Sequence, residues 1–149
     1  MLEGLVVAAA LLAAPKPTVE PCRNELVQTV REAGWRGNDQ RIAWAVAMRE
    51  SNGQAGESSY PDLGLFQLNA TTWQGSKYWP NDPLNGKQNA KAAHRMWKDM
   101  GWRPWGLNSD GTTNASDYSM WSQWQIDNWI TIPFQRYYKQ YPGCKPAKP

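Results

Sequence analysis

A chain of 149 residues with 16 Lys or Arg against 13 Asp or Glu has room for one domain with a real core, and its net charge of +3 gives only mild attraction to acidic polymers. No dense basic stripe, zinc-ligand spacing or glycine-rich strand-to-helix turn occurs, so nucleic acid, a metal centre and a bound nucleotide are not expected, and no cofactor is. Ten tryptophans and six tyrosines are the stronger signal: flat aromatic faces suit sugars, but buried indoles also build cores, and most of the ten are expected there.

Leu5 to Ala14 is an apolar run followed by Pro15-Lys16-Pro17. It is too short to span a bilayer and fits the apolar region of a signal peptide over residues 1–14, although no Lys or Arg precedes it and Glu3 has the wrong sign. The expectation is a secreted or cell-wall-associated protein, with a proline-rich linker over 15–21, one domain over 22–144 and a tail over 145–149. Cys22 and Cys144 are the only cysteines and bracket that domain. In an exported protein this reads as one disulfide tying the ends together, against the alternative of two unpaired thiols.

Arg23 to Ala33 reads as a helix, with Leu26 and Val30 at i, i+4 spacing and Gly34 as its stop. Asn38 or Asp39 is placed to cap a second helix that runs to about Ser51 and ends at Asn52-Gly53. Its stretch Ile42 to Met48 is apolar on every side, which marks a buried helix. Arg49-Glu50-Ser51 follows at once. A carboxylate there is partly desolvated and near the negative end of the helix dipole, and both effects penalise its ionised form. That is how a carboxyl group is kept protonated as a general acid. The structural alternative is that Glu50 simply pairs with Arg49.

Residues 53–62, rich in Gly, Ser and Pro, read as a loop or the start of a small hairpin, and Gly64 to Asn69 as a short strand. Alternation puts Gln67 and Asn69 on one face with Leu65, and Phe66 and Leu68 on the other. If the second face is core, the two amides look towards whatever cleft Glu50 lines. Asn89 to Met100 is an amphipathic helix with Ala90, Ala93, Trp97 and Met100 along one stripe and Gly101 as its cap. Its His94, the only histidine, has no Ser or Cys pattern beside it and reads as structural. Trp102 and Trp105 read as core rather than as a sugar platform. The polar loop Asn108 to Asp117 superficially suggests calcium, but aligning an EF-hand on Gly111 puts Gly106 at the first ligand position, so no metal site is expected. Trp121, Trp124 and Ile126 to Phe134 are expected to form a last helical region that packs on the core and breaks near Pro133.

Ala33-Gly34-Trp35-x-Gly37, then Ala43 to Glu50-Ser51, then Asp62-x-Gly64-Leu65-Phe66-Gln67-Leu68-Asn69 resembles the lysozyme-like superfamily, in particular the soluble lytic transglycosylase domains of actinobacteria and their phages. Asp82-Pro83, Asn89-Ala90-x-Ala92-Ala93 and Gly101-Trp102-x-Pro104-Trp105 continue the pattern in order, so the likeness covers roughly residues 24–106. It implies an α+β, mainly α, lysozyme-like fold with a small β-hairpin beside an active-site cleft. It also implies peptidoglycan glycan strands as partner and substrate, cleaved at the MurNAc-β-1,4-GlcNAc bond. Carried across, Glu50 takes the catalytic-acid position, Ser51 lies in the cleft wall, and Gln67 and Asn69 fall at glycan subsites. The tyrosine that supports the acid in such proteins is Tyr118, Tyr137 or Tyr138. The stretch from Glu50 to Gly64 is shorter than in many relatives, and the chain after Gly106 follows no familiar pattern. A monomer without stable membrane insertion is expected.

The reaction then forks. A lytic transglycosylase needs no second carboxylate, because Glu50 turns base and the MurNAc C6 hydroxyl closes a 1,6-anhydro ring. A hydrolase needs a second carboxylate, for which Asp62 is the candidate and Glu57 a weaker one. Asp62 reads first as a hairpin aspartate. The rival from another class is a non-catalytic cell-wall binding module.

Overall fold

Helix α1 (Glu25–Ala33) opens with Asn24, whose side chain accepts a hydrogen bond from the Val27 N–H at 3.0 Å, and buries Val27 and Val30. Gly34 ends it at φ +130, where a Cβ would stand 2.7 Å from the His94 ring. The computed structural model describes residues 21–147, so the expected leader over 1–14 and most of the linker over 15–21 lie outside the described residues.

Helix α2 (Gly37–Ser51) buries every residue from Ile42 to Ala47, as its all-round apolar sequence requires. It packs between α1 and the last helix, α6 (Ile132–Gln140). Neither Asn38 nor Asp39 caps it. Arg36 stands at that position without a side-chain cap, because Asn38 accepts from the Tyr138 hydroxyl and Asp39 from Trp102 Nε1 at 3.0 Å. Both side chains are spent on tertiary contacts instead. The αL residue Asn52 (φ 54) ends the helix.

Three short strands follow, β1 (Ser58–Ser59), β2 (Asp62–Leu63) and β3 (Leu68–Asn69), antiparallel in the order β1-β2-β3. Asp62 faces Ser59 on one side and Asn69 on the other. The expected strand over Gly64 to Asn69 therefore exists only in its last two residues. Gly64 (φ 79) and Gln67 (φ 48) are left-handed and cannot be extended, so this stretch is a tight turn between β2 and β3. Leu65, Phe66 and Leu68 are all buried, and alternation plays no part in sorting them.

Helix α3 (Ala70–Trp73) starts directly at Asn69, whose side chain accepts from the Thr72 N–H. Helix α4 (Gly86–Met100) begins three residues before the expected Asn89, because Asn85 caps it through the Gln88 N–H. The core centres on Trp35, which stacks on Phe66 at 5.2 Å and on Trp102 at 5.6 Å between ring centroids.

After 3-10 turns at Arg103–Trp105 and Ala115–Tyr118, α5 (Gln123–Gln125) leads without a break through a π-helical stretch, Ile126–Thr131, into α6. Ile126 and Phe134 reach the core as expected, but Trp121 and Trp124 are exposed. Nor does Pro133 break the helix. It stands at the junction where the wide π-helical stretch passes into α6, and the helix continues through it.

Cys22 and Cys144 are joined, 122 residues apart in sequence. Next to them Arg23 N–H donates to the Lys145 carbonyl at 2.7 Å and Ala147 N–H to that of Pro21 at 3.1 Å, so residues expected as a tail pair with residues 21–23. Replacing both cysteines by serine is expected to cost about 4–5 kcal/mol in the chain-entropy picture. Thermal unfolding should then show a midpoint lower by roughly 10–15 °C, and reductant should reproduce that shift in the native protein.

Candidate active site

The C-terminal turn of α2, the turn between β2 and β3, α3 and the Pro104–Trp105 turn together enclose a cleft of about 450 Å³. Glu50, Asp62, Gln67 and Asn69 all line it, with Thr72, Trp73 and Trp105 among its walls. Glu50 reaches this cleft because the buried apolar turns from Ile42 to Ala47 fix the helix in the core and its last turn emerges at the cleft.

Glu50 is not a lone carboxylate against an apolar wall. Its Oε1 accepts from Arg49 Nη2 at 2.7 Å and Nε at 3.2 Å, and the same Nη2 donates to the Trp105 carbonyl at 2.8 Å. The Arg49 side chain is 5 % exposed and that of Glu50 26 %. Glu50 is thus paired with a buried guanidinium, the arrangement that the sequence offered as the structural alternative. Arg49 belongs to the site in a way the spacing hinted at only as a competing ion pair. What the sequence could not show is that the same guanidinium ties Glu50 to the Trp105 turn.

Asp62 and Asn69 face each other across β2 and β3, and Asn69 Nδ2 donates to Asp62 Oδ1 at 3.0 Å. Both polar ends of Asn69 are therefore engaged, one on Asp62 and one on the start of α3. Gln67 braces its own turn, donating from Nε2 to the carbonyls of Gly64 at 2.9 Å and Glu57 at 3.3 Å. The two amides do line the cleft, as expected. They do so because Gln67 is left-handed and not because a strand alternates.

Ser51, expected in the cleft wall, lies behind it. It is buried, with its hydroxyl 2.9 Å from both the Ala47 and Leu65 carbonyl oxygens, and so fastens α2 to the turn. Of the three candidate tyrosines, Tyr118 is the one beside the acid. Burial raises its phenol above the usual tyrosine range, Arg49 pulls it down, and Glu50 and Asp117 push it up. Its hydroxyl occupies the space that a Cβ on Gly106 would need. Tyr137 and Tyr138 belong instead to the packing of α6 on α2, against Trp44 and beneath Arg41.

Asn89 stood in the sequence pattern without a role, and the structure gives it one. It is fully buried: Oδ1 accepts from the Phe66 N–H at 2.9 Å, and Nδ2 donates to the carbonyls of Leu63 at 3.0 Å and Pro83 at 2.8 Å. It holds both sides of the turn that carries Gln67. The available signal was a polar residue four positions before Ala93, on the buried stripe of α4. Trp102 and Trp105 are core, as expected, and Trp105 also shows an edge to the cleft while Nε1 donates to the Phe66 carbonyl at 3.0 Å.

His94 packs edge-on against Trp35 at 5.0 Å. Burial lowers its pKa below the usual histidine value, helped by Lys98 and Arg36. At neutral pH folded and unfolded chains both hold it uncharged. As pH falls through about 6.5 the unfolded chain takes the proton first, so the stability present above that pH is lost on acidification. Urea midpoints measured between pH 7.5 and pH 5 (about that window) should fall less steeply in His94→Phe than in the native protein.

A family model described as a lysozyme-like domain matches residues 27–107, more than half of the chain, from the first turn of α1 to just past Trp105. No curated protein and no solved structure matches the chain.

Proposed function

The chain belongs to the lysozyme-like domain family, whose members as a class cleave peptidoglycan glycan strands, and from that premise we propose that it is a lytic transglycosylase with Glu50 as its acid and then its base. The observation that carries this reading is the place of Glu50 at the last turn of a buried helix, open to a cleft that Asp62, Gln67, Asn69 and Thr72 also line, with Asp62 already held by Asn69 across the hairpin. A cell-wall target fits a disulfide-closed domain, and no helix among the described residues is long and apolar enough to cross a membrane. We read it as acting as a monomer outside the cell.

In the first half-reaction Glu50 gives its proton to the glycosidic oxygen between MurNAc and GlcNAc. The C1–O bond breaks, GlcNAc leaves with a free 4-hydroxyl, and positive charge develops on the MurNAc ring. In the second half the Glu50 carboxylate takes the proton of the MurNAc C6 hydroxyl, whose oxygen closes on C1. Arg49 holds Oε1 and leaves Oε2 to carry the proton. Gln67 and Asn69 bind the glycan, Ser51 and Asn89 hold the turn that presents Gln67, and Tyr118 packs over Gly106, next to Trp105 of the cleft wall.

The second reading is a lysozyme-type hydrolase, favoured by Asp62 lining the same cleft as Glu50. There Asp62 assists water or stabilises the cation, and the product keeps a reducing end. Mass spectrometry of muropeptides released from purified peptidoglycan separates the two. Anhydro-muramyl ends are expected, with Asp62→Asn retaining them. Reducing ends that vanish in Asp62→Asn establish the hydrolase, and no products from wall material that lysozyme digests would leave a non-catalytic binding module.

A further inference from the structure

Beyond Tyr118, three tryptophans outside this chemistry continue as a chain of aromatic rings. Tyr118 lies 5.1 Å from Trp121 between ring centroids, Trp121 5.8 Å from Trp129, and Trp129 6.0 Å from Trp124. The three indoles are 40 %, 52 % and 63 % exposed, in the order Trp121, Trp129, Trp124. Single exposed hydrophobic residues need no explanation, but a contiguous run does.

The local structure displays these rings. A capping box at Ser122 and Gln125 starts α5, and the π-helical stretch that follows buries only Ile126, so Trp129 is carried outward. Helical turns of this wide kind are frequent at functional sites. Between Tyr118 and Ile132 the only charged residue is Asp127, with Ser119, Ser122, Gln123, Gln125 and Asn128 interspersed.

We infer that Trp121, Trp129 and Trp124 form an accessory strip that binds the glycan strand beyond the catalytic cleft, an inference that rests on the proposed reading of that cleft. Continuity supports it: Tyr118 stands over Gly106, next to Trp105 of the cleft wall, and within electrostatic reach of Arg49 and Glu50. The chemistry fits a sugar polymer, since the C–H faces of pyranose rings lie on indole faces while neighbouring hydroxyls and amides meet the sugar hydroxyls. A lipid surface fits less well, because the segment has no Lys or Arg to meet anionic headgroups.

The test uses the full chain as Glu50→Gln, which binds without cutting, and two probes: a stem-free GlcNAc–MurNAc tetrasaccharide and long stem-free strands. Adding Trp124→Ala with Trp129→Ala should lower the ratio of long-strand to tetrasaccharide affinity about tenfold. Trp124→Tyr with Trp129→Tyr should keep most of that ratio. On cleaving enzyme the alanine pair should raise KM on long strands more than it changes kcat. An unchanged ratio overturns the strip and leaves the cleft reading intact, whereas failure of the Glu50→Gln parent to bind either glycan overturns both. Binding of phosphatidylglycerol–phosphatidylethanolamine vesicles that the alanine pair loses, with the glycan ratio unmoved, assigns the strip to lipid and overturns the inference.

Discussion

Under the proposed mechanism, replacing Glu50 with Gln is expected to lower the rate of glycan-strand cleavage by about 10²–10⁴-fold, the usual worth of a positioned general acid, and to leave the products that remain unchanged in kind. The variant has a second effect, which follows from Arg49. That guanidinium is almost fully buried, and Glu50 is the charge opposite it. A neutral amide leaves a buried cation without its counter-charge, so the folded state should lose roughly 1–3 kcal/mol, read as a lower urea midpoint. Glu50→Asp separates the two effects. It keeps a charge for Arg49 but withdraws the carboxyl from the cleft, and is expected to recover stability while cleavage stays low. Cleavage by Glu50→Gln at the native rate would remove Glu50 from the chemistry.

Asn89→Leu is expected to be the most damaging single change away from the acid. A leucine fills the same space but leaves the Phe66 N–H and the carbonyls of Leu63 and Pro83 buried and unpaired. At about 1–3 kcal/mol for each orphaned group, partly relieved by relaxation, the loss is roughly 3–5 kcal/mol. Denaturant unfolding gives that figure directly. Where the variant remains folded, kcat/KM should also fall, since the turn that presents Gln67 has lost its anchor. Gly64→Ala should do similar harm through a different contact. A Cβ there would meet the Pro83 carbonyl oxygen at 2.2 Å and Asn89 Nδ2 at 2.3 Å, at a backbone angle of φ 79. Removing the Asn89 side chain does not rescue it, because the Pro83 carbonyl belongs to the backbone.

Helices carried most of what could be read from the chain. The all-apolar run from Ile42 to Met48 left no exposed face to assign, so burial of α2 and the projection of Glu50 from its end followed from composition alone. Gly34 and Asn52 stop their helices by local backbone preference, which is written in the residue type. What failed was wherever two distant side chains competed with a local rule. Asn38 and Asp39 are good caps by sequence, but Tyr138 and Trp102 claim them. Gly64 to Asn69 alternates on paper, yet the turn is set by the Asn89 side chain, 20 or more positions on, and by a left-handed Gln67 that no propensity suggests. Ser51 went behind the wall for the same reason: its hydroxyl had the Leu65 carbonyl to meet. The aromatic segment beyond Tyr118 was misplaced because tryptophan is usually core, and periodicity tuned to 3.6 residues per turn misassigns faces where the helix widens.

The Cys22–Cys144 bond makes a closed hoop of everything between, including both walls of the cleft and the helix that backs them. A protease meeting this protein finds runs of exposed residues at Ser58–Tyr60, Asn108–Asp110 and Ser119–Trp124. A nick there severs the stretch bearing Glu50 from α6, which packs on α2, but the two pieces stay linked by sulfur and remain one molecule until reduced. The same bond that stiffens the fold thus makes a single backbone cut survivable.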